Sequence, residues 1–184
     1  MRIITGSLKG RTLSLPKSST ARPTSDRVRG ALFNILFNQL PGASMLDVFT
    51  GCGAVALEGI SRGLGHVVMC DSDRKNISEI TNSVENFDLD PDKYELVCMD
   101  FRRLLNRELK NSSIYDIIFL DPPYKSGYYE DVIKAANDLL TPDGVLIAEH
   151  STQEKLKDAY GNMKQYDQRR YGSTKLSFYR KDTI

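Results

Sequence analysis

The sequence has only three cysteines and two histidines among its 184 residues, too few and too scattered for a zinc site or a disulfide framework. Cys52, Cys70 and Cys98 form no closely spaced pair, and neither His66 nor His150 is placed to complete a metal-binding motif with them. We therefore predict reduced, half-buried thiols and no bound metal.

Long apolar runs are also missing. None approaches the roughly 18 residues of a membrane-spanning helix, and residues 1–6 lack the apolar stretch and cleavage site of a signal peptide. The composition, 40% apolar and 27% charged, is ordinary for a globular protein. We expect a cytoplasmic protein with no membrane partner.

Net charge is almost absent, at +1, but its distribution is uneven. Residues 1–30 hold seven basic residues against one acidic, and residues 164–181 hold six against one, around an acidic middle. If the fold brings the two ends together, they form one cationic patch suited to a phosphate backbone. Two solvated basic tails would explain the same charges.

Short apolar runs alternate with helical patterns along most of the chain, which is typical of βαβ units and a parallel sheet. We predict strands at 44–49, 66–71, 94–99, 115–121, 144–149, 164–171 and 175–180. We predict helices at 54–62, 74–86, 101–109 and 129–140, with a short one near 153–160. The last two strands are too close in sequence to be parallel to each other.

The N-terminal region has a different pattern. Residues 1–5 and 11–15 alternate around two glycines and predict a small β-hairpin. A helical pattern over 28–36 follows, with Thr24 or Ser25 as its N-cap. We expect a single domain over 1–184, with residues 1–24 as a basic hairpin extension and 25–184 as an α/β core.

A glycine loop, Asp47-Val-Phe-Thr-Gly51-Cys-Gly53, follows the first core strand. Its glycines let the backbone turn sharply, and the next helix would direct its N-terminal amides at a ligand. Asp71 ends the next strand twenty residues after Gly51, a spacing that suits a carboxylate bound to a ribose hydroxyl. Because Asp47 would repel a pyrophosphate and attract an ammonium group, the loop favours S-adenosylmethionine over a nicotinamide dinucleotide.

Asp100 ends the third core strand and has two interpretations. Its carboxylate would accept the adenine amino group while Phe101 packs on the ring, or it would cap the helix that follows. The two roles are compatible, and both stay open.

Asp121-Pro122-Pro123-Tyr124 carries the clearest chemical prediction. The prolines fix the turn and have no N–H, so a side-chain carboxylate and a main-chain carbonyl form a rigid acceptor pair for an –NH₂ group. Tyr124 offers a ring face on which a base can stack. An ordinary proline turn with a surface tyrosine is the alternative. We predict methylation of a base amine by direct displacement at the sulfonium methyl, with Asp121 and Pro122 orienting the amine.

These motifs resemble those of the amino-methyltransferases of the class I, Rossmann-like superfamily. Three further segments resemble the bacterial 16S ribosomal RNA guanine-N2 methyltransferase family, and the resemblance covers essentially the whole chain. They are Gly6-Ser-Leu-Lys-Gly-Arg-Thr-Leu13, Arg22-Pro-Thr-Ser-Asp-Arg-Val-Arg-Gly-Ala-Leu-Phe-Asn-Ile-Leu36 and Arg170-Tyr-Gly-Ser-Thr-Lys-Leu-Ser-Phe-Tyr179. One departure is Asp71, where glutamate is frequent among methyltransferases.

The resemblance implies a Rossmann-like methyltransferase fold with a mostly parallel seven-stranded sheet and an antiparallel last strand. It implies S-adenosyl-L-methionine as cofactor and 16S rRNA or a small-subunit assembly intermediate as partner, and we expect a monomer. The expected cofactor residues are Arg22, Thr24, Asp47, Phe49, Gly51, Gly53, Asp71, Asp100 and Phe101. The expected catalytic residues are Asp121, Pro122 and Tyr124, and the expected RNA contacts are Arg2, Lys9, Arg11, Arg170, Ser173 and Thr174.

Three other functions share some of these features. An adenine-N6 nucleic-acid methyltransferase has the same tetrapeptide, although DNA enzymes of that type add a recognition domain for which 184 residues leave no room. A nicotinamide oxidoreductase has a similar glycine loop, and a non-catalytic RNA-binding module would account for the basic ends. The choice of guanine over adenine rests on the resemblance.

Overall fold

The computed structural model describes residues 1–15, 24–123 and 126–182. Two predicted site residues, Arg22 and Tyr124, lie outside these ranges. The α-helices within them are α1 Asp26–Ile35, α2 Ala54–Ser61, α3 Arg74–Asn86, α4 Phe101–Lys110 and α5 Tyr129–Leu139. The strands are β1 Ser44–Asp47, β2 His66–Asp71, β3 Tyr94–Cys98, β4 Tyr115–Leu120, β5 Leu140–Ser151, β6 Ala159–Tyr160, β7 Met163–Tyr171 and β8 Thr174–Lys181.

The strands form one sheet in the order β3-β2-β1-β4-β5-β8-β7-β6. Neighbours from β3 to β5 are parallel, and β8 is antiparallel to both β5 and β7. The predicted α/β architecture, with its antiparallel last strand, is confirmed. The strand order reverses direction between β1 and β4, and in such sheets ligands bind beyond the carboxyl ends of the strands at that point.

Polar caps explain where several helices begin. The Ser25 hydroxyl accepts a hydrogen bond from the Val28 amide at the start of α1, which decides between the two predicted caps. Asp73 caps α3 through the Lys75 amide at 2.9 Å. Each side chain satisfies an amide that has no partner inside its helix.

The region after β5 corrects the prediction of a helix near 153–160. It contains the short strand β6, paired with β7, so the described sheet has eight strands instead of seven. The Lys157 amide donates to the Tyr160 hydroxyl at 3.1 Å, and the Lys157 carbonyl accepts from the Tyr179 hydroxyl at 2.8 Å. The long-range bond from Tyr179 and the burial of Tyr160 outweigh the local helical pattern.

The sheet separates two apolar cores. Helices α1, α2 and α3 cover one face, and α4 and α5 cover the other. Successive strand residues point to opposite faces, so Met45 of β1 belongs to the first core and Leu46 to the second. The same alternation directs the next side chain, Asp47, towards the face covered by α1 and α2.

A buried ion pair attaches the N-terminal extension to this face. The predicted hairpin is present as a single antiparallel bridge between Arg2 and Thr12. The Glu58 carboxylate of α2 accepts from the Ile4 amide at 2.7 Å and lies 3.6 Å from Nε of the fully buried Arg29. Arg29 also donates to the Arg2 carbonyl at 2.6 Å, so the ion pair and these backbone contacts together fix the hairpin against α1 and α2.

The hairpin also depends on a close approach at Gly6. Gly6 has a φ of +93°, and a Cβ there would lie 1.8 Å from the Ser61 carbonyl oxygen. Gly10 has a similar φ of +84°, but its Cβ would meet nothing within 4 Å. Gly10→Ala therefore measures backbone strain alone, and Gly6→Ala adds the steric clash.

We expect Gly10→Ala to lower the free energy of unfolding by about 1 kcal/mol, the usual cost of a left-handed non-glycine residue. Gly6→Ala should lower it by about 3 kcal/mol, because the hairpin must also move away from α2. Urea denaturation of both variants measures the difference. Equal losses would mean that the contact with Ser61 contributes nothing.

Candidate active site

Four acidic side chains meet at the carboxyl edge of the sheet. Each comes from the end of a different strand, and each follows a residue that belongs to the core under α4 and α5. Alternation therefore points all four towards the opposite face, where α1 and α2 begin. They are Asp47 at the end of β1, Asp71 at the end of β2, Asp121 directly after β4 and Glu149 near the end of β5.

Asp47 is the most deeply buried of the four, with 1% of its surface exposed. Its Oδ2 accepts a hydrogen bond from the Thr50 hydroxyl at 2.9 Å, while Oδ1 has no partner within the described part of the chain. The pKa of Asp47 is raised to about 7, first by burial and also by the charges of Asp71 and Glu149, and the hydrogen bond from Thr50 opposes the rise. A buried acceptor without a partner is costly, and a cationic ligand would satisfy it.

The glycine loop is held in place by Asp71. The Gly51 amide donates to Asp71 Oδ2 at 3.0 Å, and the Asn76 side chain donates to the same oxygen at 3.1 Å. Gly51 and Gly53 have φ values of +56° and +75°, which explains why both are glycine. Gly53 precedes the first residue of α2, so the loop opens on the N-terminal amides of that helix.

Burial raises the pKa of Asp71, and three hydrogen bonds to its carboxylate oppose that effect. Oδ2 accepts two of these bonds, whereas Oδ1 accepts one, from the Asp73 amide at 2.8 Å. Oδ1 thus keeps a lone pair for a ribose hydroxyl. The predicted ribose contact is compatible with this geometry and stays a prediction.

Asp100 caps α4, because its carboxylate accepts from the Arg102 amide at 2.9 Å. This confirms one of its two interpretations, and the adenine contact stays a prediction. Phe101 is buried in an aromatic cluster, with its ring centroid 5.2 Å from that of Phe49 and 4.6 Å from that of Tyr128. Sequence reasoning missed Tyr128, whose position directly before α5 was its only signal.

Asp121 lies at the same sheet edge as Asp47 and is the first residue of the predicted acceptor pair for an amine. Burial raises its pKa well above the usual range, and the charges of Glu149 and Asp47 raise it further. Pro122 is buried and Pro123 is exposed. Tyr124, which was predicted to stack on the base, lies outside the described residues.

Glu149 was absent from the predicted site, yet the structure places it there. Its Oε2 accepts a hydrogen bond from the Thr24 hydroxyl at 2.7 Å, and both side chains are buried. Burial raises the pKa of Glu149 to about 7, and the bond from Thr24 opposes this effect. The available signal was its position: like Asp47 and Asp71, Glu149 ends an apolar strand. Thr24, which was expected at the cofactor, is placed at this edge by the contact.

The predicted RNA contacts lie in two separate regions. Arg2, Lys9 and Arg11 are exposed, and Arg11 donates to the Asn86 carbonyl at the end of α3, which packs on β2 and β3. Arg170 is in β7, on the other side of β5. In the described part of the chain these basic residues therefore lie in two regions of the structure, and their contacts with RNA stay predictions.

The β7–β8 turn reaches the site edge. Thr174 pairs with Ser151 at the end of β5, and the Ser173 carbonyl accepts from the Thr152 amide at 2.9 Å. Arg170 donates to the Gly172 carbonyl in the same turn at 3.0 Å. Ser173 and Thr174 therefore lie beside the strand end that carries Glu149.

Neither a metal-binding cluster nor a membrane-spanning helix occurs in the described ranges. No group of three or more histidine, cysteine or acidic side chains in those ranges is arranged to hold a metal ion. No helix in them is long and apolar enough to cross a membrane. Of the cysteines, Cys70 is buried, Cys52 half-buried and Cys98 exposed, and all three are free thiols.

Residues 1–180 match the protein family described as Conserved hypothetical protein 95. YlbH of Bacillus subtilis, provisionally named an rRNA methyltransferase, is 31% identical over 183 residues, which are 98% of this chain and 99% of that protein. Ribosomal RNA small subunit methyltransferase D of Escherichia coli is 28% identical over 184 residues, which are 99% of this chain and 90% of that protein. The solved structure of yhhF from Escherichia coli, provisionally titled a methyltransferase, has a TM-score of 0.86 at 26% identity and covers 100% of this chain and 99% of its own.

The buried carboxyl of Asp47 predicts an unusual pH dependence of stability. A carboxyl whose pKa rises from 3.8 to about 7 on folding stabilises the folded state below pH 4, and this contribution is lost as the pH rises to 7. Between pH 5 and pH 8 the wild type should lose about 2–3 kcal/mol that Asp47→Asn does not lose. Urea unfolding at both pH values measures this.

His150 acts in the opposite sense, because burial lowers its pKa, but its contribution is common to both proteins and cancels. Asp138→Asn, which removes an exposed carboxylate near the end of α5, is the matched control and should follow the wild type. Parallel stability curves for Asp47→Asn and the wild type would contradict the buried, protonated state of Asp47.

Proposed function

The chain belongs to the family described as Conserved hypothetical protein 95, and we propose that it uses S-adenosyl-L-methionine to methylate the exocyclic N2 amine of a guanine in 16S ribosomal RNA. The observation that carries this proposal is the position of Asp121 and Pro122 beside Asp47 and the glycine loop. An acceptor pair for an amine and an anionic subsite thus share one sheet edge. The names of the relatives support ribosomal RNA as the substrate class.

The anionic edge fits the cofactor. Asp47 Oδ1 is buried and lacks a partner among the described residues, and the ammonium group of the methionine moiety would satisfy it. Asp71 and the N-terminal amides of α2 lie where a ribose hydroxyl and the methionine carboxylate would bind. The cofactor would supply an electrophilic methyl group on a sulfonium, and the surrounding carboxylates favour that positive charge.

The protein's part in the reaction is orientation and electrostatics. The N2 lone pair of guanine is delocalised into the ring, so the amine is a poor nucleophile. The Asp121 carboxylate and the Pro122 carbonyl would each accept one amine hydrogen and stabilise the positive charge that develops on nitrogen. Tyr124 is proposed to stack on the base, and Ser173 and Thr174 are proposed to line the target side. Adenine N6 offers a similar amine, so adenine methylation is the alternative.

Transfer of labelled methyl groups to small-subunit RNA from cells that lack this activity tests the proposal. We expect N2-methylguanosine after digestion to nucleosides. N6-methyladenosine would overturn the choice of base in favour of the alternative. Tight binding of NAD without binding of S-adenosylmethionine would overturn the methyltransferase assignment itself.

Asp121→Ala should reduce kcat by about 100-fold or more, because it removes a pre-positioned acceptor at the nitrogen on which charge develops. RNA binding should stay within a few-fold of the wild type, since the basic surfaces are untouched. The exposed-site variant Asp138→Asn is again the control for loss of a carboxylate. Unchanged methyl transfer by Asp121→Ala would refute the role given to this residue.

RNA binding should weaken steeply with salt, because the proposed contacts Arg2, Lys9, Arg11 and Arg170 would displace counterions from phosphates. A Lys9→Gln, Arg11→Gln double variant should lower the slope of log Kd against log salt by about 1.5, and Arg170→Gln by about 0.8. Lys110→Gln, at the end of α4 on the other face of the sheet, should leave it unchanged. A flat dependence for the wild type would mean that the basic segments are only solvated tails.

A further inference from the structure

Glu149 has no part in the reaction as proposed above, yet it is buried beside the residue that would hold the amine. We propose that Glu149 is a positioning residue for methyl transfer: its carboxylate, fixed by Thr24 on the strand next to Asp121, acts through Asp121, which takes the proton that the methylated amine releases. This inference rests on the proposed function and adds to it the route by which the proton leaves.

The sheet register places the two carboxylates side by side. Leu120 of β4 pairs with Ala148 of β5, and each precedes one of the acids, Asp121 and Glu149. Neighbouring strands are about 4.8 Å apart, and Leu120 and Ala148 both point into the core under α4 and α5. The side chains of Asp121 and Glu149 therefore point to the opposite face, at the sheet edge where the target amine is proposed to bind.

Glu149 is held in one position from two directions. On its side chain, Oε2 accepts from the buried Thr24 hydroxyl at 2.7 Å, two residues before α1. On its main chain, the carbonyl accepts from the Tyr129 hydroxyl of α5 at 2.9 Å. Both contacts join distant parts of the chain. Rotation of the Glu149 side chain towards solvent would break its hydrogen bond with Thr24.

The charged groups nearest to Glu149 are other carboxyls. Asp47 from β1 and Asp121 from the end of β4 act on the edge that holds Glu149, and Tyr129 of α5 is a neutral phenol whose pKa is raised by burial and then by Asp121. The neighbouring His150 bonds instead to the Ser177 hydroxyl, at 2.8 Å, and burial lowers its pKa. Lys175 lies opposite His150 on β8 and lowers the pKa of that histidine.

This environment has a definite effect on Asp121. Burial raises the pKa of Asp121 well above its usual range, and the charge of Glu149 is the next largest cause. A carboxylate with a raised pKa still accepts a hydrogen bond from the amine when ionised, and it is also able to accept a proton near neutral pH. Glu149 thus tunes Asp121 without touching the substrate.

The reaction balances with these groups. The nitrogen–carbon bond forms as the sulfur–carbon bond breaks, which neutralises the sulfonium and leaves a positive charge on the methylated nitrogen. One proton then passes from that nitrogen to the Asp121 carboxylate, giving a neutral methylamino group. Asp121 loses the proton to solvent before the next turnover, and Glu149 stays covalently unchanged.

The test compares Glu149→Gln with the wild type over pH 5–9. Glutamine keeps the size of the side chain and an oxygen that can accept from Thr24, but it removes the charge. The acid limb of kcat/KM should move to lower pH by about one unit, and kcat above that limb should fall about tenfold, because Asp121 becomes a weaker base. The KM values for RNA and for S-adenosylmethionine should change less than threefold.

Two further variants separate charge from fold. Glu154→Gln removes an equal charge from the segment after β5 and should leave the pH dependence of kcat/KM unchanged. Glu149→Asp keeps the charge with a shorter side chain and should keep the acid limb within about half a unit of the wild type. A Glu149→Asp profile shifted by a full unit would contradict the role of charge. If Glu149→Gln unfolds, Glu149→Ala takes its place as the uncharged variant and should show the same shift, and a wild-type profile for it would overturn the inference.

A titration that does not depend on activity distinguishes failure of this inference from failure of the proposed function. Carboxyl-carbon NMR of the free protein should show a lower pKa for Asp121 in Glu149→Gln than in the wild type. Superimposed titrations and superimposed pH profiles would overturn the role of Glu149 while leaving methyl transfer intact. A wild type that titrates as expected but methylates no RNA would instead overturn the proposed function.

Discussion

The burial of several like charges at one edge of a sheet is the constraint on which the rest of this molecule depends. Parallel strands that end together deliver Asp47, Asp121 and Glu149 to the same face, and the helices that cover the sheet keep water from them. Such a cluster is unfavourable without a counter-charge, so the carboxyls have raised pKa values. The positively charged ligand proposed for this edge would offset that cost.

The N-terminal region contacts the carboxyl edge of the sheet as well as forming the hairpin extension. Thr24 reaches Glu149, and in the same region Arg29 of α1 and Glu58 of α2 form a buried pair that holds the hairpin backbone. A displacement of α1 would therefore disturb both the hairpin and the carboxylate edge. Thr24, which makes this contact, belongs to one of the three segments that resemble the family.

Much of the fold and three of the four acids could be predicted because their causes are local. Apolar runs define the strands, and parallel pairing places the strand ends together. Asp47 and Asp121 stand at those ends before a glycine loop and a proline pair, and Asp71 stands twenty residues after Gly51. Glu149 stands at such an end without a motif around it, and its contact with Thr24 spans 125 residues, which no local pattern encodes.

The prediction of a helix at residues 153–160 was wrong for a physical reason that no local pattern shows. Residues 153–160 have a helical pattern, but the Lys157 carbonyl accepts from Tyr179 of β8 and the Tyr160 ring packs on that of Tyr179, contacts that exist only in the folded sheet. Likewise, composition shows that both ends of the chain are basic but not where they go. Arg11 is anchored near α3 and Arg170 at the β7–β8 turn, so these residues lie in two regions of the structure. In both cases long-range contacts decided the outcome.

Unsatisfied polar atoms mark where this structure gives up stability. Among the described residues the buried side-chain atoms without partners are Asp47 Oδ1 and two nitrogens of Arg29, Nε and Nη1. Nε of Arg29 still lies 3.6 Å from the Glu58 carboxylate, so its unfavourable burial is partly offset by charge. Asp47 Oδ1 has no such compensation: its neighbours are other carboxylates, which raise its pKa further. A group that only stabilised the fold would gain from a donor there. A donor supplied by the protein would compete with a cationic ligand for Asp47 Oδ1. The lack of such a donor among the described residues therefore fits the proposed subsite for an ammonium group.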